Sequence, residues 1–144
     1  SLIQDVLNLR QHEQTKNNIV VKTKFGKLPL VEVDQSQIRQ VFLNIIINAE
    51  YFMSKANRKG TLTITTRKSG NMVTASFADD GPGIPAEQLD HVFDPFFTTK
   101  EVGQGTGLGL SICHGIATEH GGKIYAESQE GKGATFVVEL PIVE

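Results

Sequence analysis

Cysteine is almost missing from this chain. Cys113 is the single one in 144 residues, so no internal disulfide can form. Set in an apolar run, it reads as a small buried hydrophobe in a reducing compartment. Long apolar runs are missing as well: no stretch approaches the roughly 18 residues of a membrane-spanning helix, and no signal-peptide pattern is visible. Neither sign of charge dominates. Fourteen basic against 16 acidic residues leave a formal charge of −2, which removes the electrostatic argument for nucleic acid or an anionic membrane as partner. Several familiar motifs are also absent. No G-x-x-x-x-G-K-[ST] occurs, and G-x-G-x-x-G fails because Leu108 and Leu110 stand where its third glycine would fall. The histidines and Cys113 show no metal-ligand spacing, and there is no serine nucleophile elbow. Repeats and low-complexity tracts are lacking.

What remains is a pattern of alternating helix and strand signals in a length that suits one domain, able to bury about 70% of the surface its unfolded form exposes. Residues 2–16 carry apolar side chains at 2, 3, 6, 7 and 9, the spacing of a short amphipathic helix. "IVVKTKF" (Ile19–Phe25) reads as a strand, and "PLVEV" (Pro29–Val33) as a second short one. Asp34 is placed to cap a helix over Ser36–Lys55, whose Ile38, Val41, Phe42, Ile45, Ala49, Phe52 and Met53 share one face. "TLTITTR" and "MVTASFA" flank a turn at Ser69-Gly70-Asn71, a hairpin signature. Pro85–His91 could form one short helix. Leu108–His120 is helical and stops at Gly121-Gly122, and "KIYAES" with "ATFVVEL" makes a closing hairpin. Hairpins imply mainly antiparallel pairing, and long helices must cover one face, so the expected fold is a two-layer α/β sandwich.

Four segments carry chemistry. On the long helix, Asn44, Asn48, Tyr51 and Lys55 fall on one stripe beside the apolar face, and an Asn oxygen is a hard, neutral ligand suited to Mg²⁺. "DDGPGI" (Asp79–Ile84) sets a carboxylate on a glycine turn, where it could accept from an exocyclic amine while bare backbone admits a flat ring. "FDPFFTTK" (Phe93–Lys100) crowds three phenylalanines into an expected loop, a docking or lid signal. "GQGTGLGLSI" (Gly103–Ile112) alternates glycine at 103, 105, 107 and 109 at the mouth of a helix. Each glycine there costs roughly 0.5–1 kcal/mol relative to alanine. A free helix N-terminus beside such a backbone suits phosphate better than it suits a linker. Lys100, just upstream, is placed to meet one.

Together these resemble the boxes of a known family. "NIIINA" (Asn44–Ala49) is similar to the N box, "DDGPGI" to the G1 box, "FDPFF" (Phe93–Phe97) to the F box and "GTGLGL" (Gly105–Leu110) to the G2 box. "GKGATF" (Gly131–Phe136) resembles the last glycine box. Order and spacing match the catalytic, ATP-binding domain of sensor histidine kinases, within the gyrase, heat-shock chaperone, kinase and MutL superfamily. The resemblance covers about residues 17–141.

The resemblance implies three helices on one face of a mixed, mainly antiparallel sheet, the Bergerat ATP-binding fold. It implies ATP and Mg²⁺, with Asn48 on the metal, Asn44 supporting the phosphates and Lys100 beside them. Asp79 would receive the adenine amine, with Gly81, Gly83 and Ile84 beside the ring and Thr135 supplying an adenine-side hydroxyl. Residues 93–106 would form a lid, with Phe97, Thr98, Thr99, Gly105, Thr106, Gly107, Leu108 and Gly109 around the nucleotide. Hydrolases of the superfamily carry Glu where this chain has Asn44; an amide cannot take a proton from water, which favours a kinase. The implied reaction is γ-phosphoryl transfer to a histidine on a dimerisation domain, with Phe93, Phe96 and Phe97 as docking candidates and a response regulator downstream. His12 lacks the proline of an acceptor motif and lies too near Asn44 to be the target. Residues 1–16 are therefore expected to be the end of a dimerisation-domain helix or a linker, and 17–144 the ATP-binding domain. The chain is expected to be a monomeric cytoplasmic fragment of a homodimeric parent, itself soluble or anchored in the inner membrane. An anti-sigma-type serine kinase and a nucleotide-binding pseudokinase are the alternatives.

Overall fold

The structure is a computed structural model that describes residues 2–16, 18–26, 33–57, 59–81, 83–84, 89, 91–94, 109–129 and 133–142. In chain order the elements are α1 (Leu2–Lys16), β1 (Ile19–Phe25), α2 (Gln35–Asn57), β2 (Gly60–Ser69) and β3 (Met72–Asp79), then α3 (Gly109–Glu119), β4 (Lys123–Gln129) and β5 (Gly133–Pro141). The strands form one five-stranded sheet in the order β1-β2-β3-β5-β4. β1 runs parallel to β2, and the remaining pairs are antiparallel. This is the expected mixed sheet. The expected strand over 29–33 and the short helix over 85–91 fall almost wholly outside the described residues.

One face of the sheet is apolar because side chains alternate along a strand. Leu62 and Ile64 of β2, Ala75 and Phe77 of β3, and Ala134, Phe136, Val138 and Leu140 of β5 are all buried in a single core. α2 supplies the other half through Ile38, Val41, Phe42, Ile45, Ile46, Ala49 and Met53, the recurrence of one face of a helix. Phe42 and Phe77 join the layers, with ring centroids 5.5 Å apart. α1 adds Ile3, Val6 and Leu7 to the same core. Farther along that helix, Arg10 donates from Nε (3.1 Å) and Nη2 to Oε1 of Glu50, and Gln14 Nε2 donates to Oε2 at 2.8 Å. Glu50 is thus a buried carboxylate on α2 held from α1. At one end of the strand order among the described residues, β1 exposes Val20, Lys22, Lys24 and Phe25.

The helix ends follow from local chemistry. Asp34 Oδ1 accepts from the Gln37 N–H at 3.1 Å, and its carbonyl accepts from Ile38 at 3.0 Å, so it caps α2 as expected. α3 closes on a Schellman turn: Gly121 N–H reaches Thr118 O and Gly122 N–H reaches Ala117 O, with Gly121 at φ 76°. His120 ties the two helices together. Its Nε2 accepts from the Asp34 N–H at 3.0 Å, so the ring proton is on Nδ1, which donates to Ile116 O at 2.8 Å.

Candidate functional site

The site is built where the second half of α2 meets the end of β3. Asn44 and Asn48 stand one helical turn apart, both half-buried. Asn44 is held by its surroundings. Its Oδ1 accepts from Gln40 Nε2 at 2.9 Å, and its Nδ2 lies 3.6 Å from the Cys113 sulfur on α3. Burial pushes the Cys113 thiol up to about 11, against the weaker pull of the Asn44 amide, so this cysteine supports the asparagine and is no nucleophile. Met53, farther along α2, packs on the glycine turn after β3: a Cβ built at Gly81 would lie 3.6 Å from Met53 Cγ. That contact brings the asparagine helix and the turn 79–84 to one site.

Asp79 is the last residue of β3 and faces inward, two residues beyond Phe77 on the core side. Its Oδ1 accepts from the Gly81 N–H at 2.9 Å and the Ala134 N–H at 3.3 Å. Burial raises its carboxyl above the ordinary aspartate value; the two N–H groups oppose the rise and the neighbouring Asp80 charge adds to it. Asp80 turns the other way, its Oδ1 accepting from the Thr61 N–H at 3.0 Å. Gly83 has φ 77°, a conformation open to glycine at little cost. Ile84 packs its side chain against the core and donates its N–H to Ser128 Oγ at 2.6 Å.

Two expectations change. Thr135 pairs with Ala78 on β3 and Glu127 on β4. Its buried neighbours Ala134 and Phe136 face the core, so alternation turns the Thr135 side chain to the far side of the sheet. The residue beside Asp79 is Ala134, which contributes an N–H and no hydroxyl. Phe93 also differs from a free docking group. It is half-buried, its ring 6.1 Å from Phe136 edge-on and 5.9 Å from His114.

Gly109 begins α3. Phe96, Phe97, Thr98, Thr99, Lys100, Gly105, Thr106, Gly107 and Leu108 lie outside the described residues. Among the described residues no group of three or more His, Cys, Asp or Glu could hold a metal. Sequence reasoning missed Ser128 and the structural role of Gly133. At φ 100°, a Cβ on Gly133 would fall 2.1 Å from the Asp79 carbonyl oxygen. A lone serine in an ordinary strand pattern carries no signal for such a role, whereas Gly133 was visible as part of a glycine box.

Residues 33–144 match the family described as "Histidine kinase-, DNA gyrase B-, and HSP90-like ATPase". The chain is 40% identical over 143 residues to "Sensor histidine kinase ZraS" of Escherichia coli K12, covering 99% of this chain and 30% of that protein. It therefore spans less than a third of that relative's length. The catalytic domain of histidine kinase ThkA, in a nucleotide-free form, superposes with a TM-score of 0.84 at 39% identity, covering 97% of this chain and 91% of that one. ThkA in complex with the response regulator protein TrrA superposes at 0.80 with 35% identity, covering 99% and 40%.

Proposed function

The chain belongs to the histidine kinase-, DNA gyrase B- and HSP90-like ATPase family, among its sensor histidine kinase members, and from that premise we propose that it passes the γ-phosphoryl group of ATP to a histidine on a separate dimerisation domain. Asp79 receives the adenine amine, Gly81, Gly83 and Ile84 flank the ring, and Asn44 supports the phosphates. The P–O bond to the β-phosphate breaks, a P–N bond to the imidazole forms, and ADP leaves. Lys100, Phe97, Thr98, Thr99, Gly105, Thr106, Gly107, Leu108 and Gly109 complete the cradle, and Phe96 and Phe97 dock on the acceptor domain while Phe93 braces that loop from inside. Residues 1–16 lead in from the dimerisation domain. The phosphoryl group passes onward to a response regulator, as the ThkA–TrrA assembly suggests by analogy.

The observation that carries this reading is the Asp79 carboxylate, aimed inward and fixed by the N–H groups of Gly81 and Ala134. A second observation supports transfer over hydrolysis. Glu50, the carboxylate nearest the asparagine pair in sequence, is engaged by Arg10 and Gln14, so it is not free to take a proton from water. The donor set fits Mg²⁺: Asn48 offers a neutral oxygen, and Mg²⁺ keeps waters and phosphates for the rest of its shell. Bound there, the ion would neutralise phosphate charge. Among the described residues no helix is long and apolar enough to cross a membrane.

The test supplies γ-labelled ATP, Mg²⁺ and the dimerisation domain of the parent protein. Acid-labile, base-stable label on that domain is the expected result, lost in Asn48→Ala. Bound ATP with no transfer would refute the kinase reading, and acid-stable phosphoserine on a partner would move it to the serine kinases.

A further inference from the structure

We infer that Ser128 is a positioning residue that sets the width of the adenine crevice by fastening the turn after β3 to the mouth of the β4–β5 hairpin. The inference rests on the adenine reading of Asp79 proposed above and extends it to a residue on a different strand. A serine hydroxyl offers one donor and two acceptor sites, and here both functions are used. Oγ accepts from the Ile84 N–H at 2.6 Å and donates to the Gly133 carbonyl at 3.2 Å. Ile84 lies at the far end of the turn that begins with Asp79. Gly133 opens β5, one residue before the Ala134 N–H that reaches Asp79 Oδ1 at 3.3 Å.

The contacts close a circuit. From Asp79 the path runs through Ala134 and Gly133 to the Ser128 hydroxyl, on to Ile84 and Gly83, and back along the turn to Gly81, whose N–H returns to Asp79 at 2.9 Å. Gly133 sits hard against the backbone of Asp79 and Asp80, where a Cβ would lie 2.1 Å from the Asp79 oxygen and 3.1 Å from Asp80 Cα. One rim of the crevice is thereby fixed by close backbone packing. The other rim, at Gly83 and Ile84, has φ 77° at Gly83 and is held at Ile84 by the hydroxyl. Ser128 pairs with Ala134 across the hairpin, so the hydroxyl is anchored to the same strand step that orients the carboxylate. Removing it leaves the Asp79 charge and its two N–H donors in place but frees the outer rim.

The consequence is confined to the base. The asparagines on α2 and the glycine run before α3 lie on other elements, so an effect through Ser128 appears in adenine affinity and not in the chemical step. In Ser128→Ala, affinity should fall about five- to tenfold, by the same factor for ATP, ADP and adenosine. KM for ATP should rise equally with kcat at saturation unchanged. Ser128→Thr, which keeps a hydroxyl, should restore affinity to within about twofold. The Ile84 amide should be protected from hydrogen exchange in the unmutated protein and exchange faster in Ser128→Ala. Unaltered adenosine binding in Ser128→Ala would overturn the inference, as would a loss that grows with phosphate number or a threonine variant as weak as alanine. An Ile84 amide exchanging freely in the unmutated protein would overturn it even if the alanine variant failed to fold. An unmutated protein that binds no adenine nucleotide would overturn the adenine reading as well, which separates the two failures.

Discussion

Replacing Arg10 by methionine should be among the most damaging single changes outside the central core. Glu50 keeps only 4% of its side chain exposed, while Arg10 keeps 25%. The carboxylate has charged donors at Oε1 from Arg10 and one neutral donor at Oε2 from Gln14. Removing one partner of a buried ion pair costs about 3–5 kcal/mol because the other charge is stranded. Arg10 is partly open to water, which relieves some of that cost, so about 2–4 kcal/mol is expected for Arg10→Met. That is a large share of a domain stability of about 5–15 kcal/mol. Removing both charges is different. In Arg10→Met/Glu50→Leu no charge is buried, and the remaining deficit is the Gln14 amide without its acceptor, about 1 kcal/mol. Urea unfolding at neutral pH, followed by far-ultraviolet circular dichroism, gives all four corners of the cycle. The double variant should be more stable than Arg10→Met alone. If Arg10→Met loses less than about 0.5 kcal/mol, the buried-charge reasoning is refuted.

Asp79→Asn should weaken adenine binding sharply while stabilising the free protein. The native carboxyl is raised above its ordinary 3.8 by burial, so its contribution is fully present below that pH and is lost as pH rises through the native value. Melting curves for variant and parent should converge near pH 4 and separate above it, the variant melting higher; a variant that melts lower at neutral pH contradicts this. Gly133→Ala should cost at least about 2 kcal/mol and abolish nucleotide binding, because φ 100° and a 2.1 Å approach to Asp79 O both exclude a methyl group; a folded variant with parental affinity would refute the close-packing argument. Cys113, with its thiol pushed up to about 11 and its side chain buried, should resist thiol reagents at pH 8 until urea unfolds the chain; rapid labelling of the native protein would show the opposite. His120→Leu removes the acceptor of the Asp34 N–H and the donor to Ile116 O, for an expected loss of about 1–2 kcal/mol in the same urea assay.

Periodicity made α2 and the hairpins legible to within two residues, because a 3.6-residue stripe and a two-residue alternation are imposed by burial and survive in any window. The Asp34 cap and the Gly121 stop were legible for the same local reason. Contacts between distant segments were not. Nothing in "LRQHEQTK" announces that Arg10 and Gln14 meet Glu50; the amphipathic spacing marked Ile3, Val6 and Leu7 as one apolar face, but not that this face joins the core of the ATP-binding domain. Thr135 shows the limit most clearly. The glycine box marked the right hairpin, but which of two adjacent residues faces the helices depends on strand register, fixed by the pairing of Ala78 with Thr135. Ser128 was invisible because its role is written in the distances to Ile84 and Gly133, not in its neighbours.

Lys22 and Lys24 lie on an outer strand of the sheet, exposed and, among the described residues, paired on one side alone to β2. A rim of this kind, with Val20 and Phe25 also uncovered, would otherwise invite a second copy to extend the ladder. Two such rims meeting would bring ammonium groups together faster than they could share backbone amides, so self-association along this border is opposed. Exchanging both lysines for valine should increase self-association as the protein is concentrated, read as a rise in light scattering.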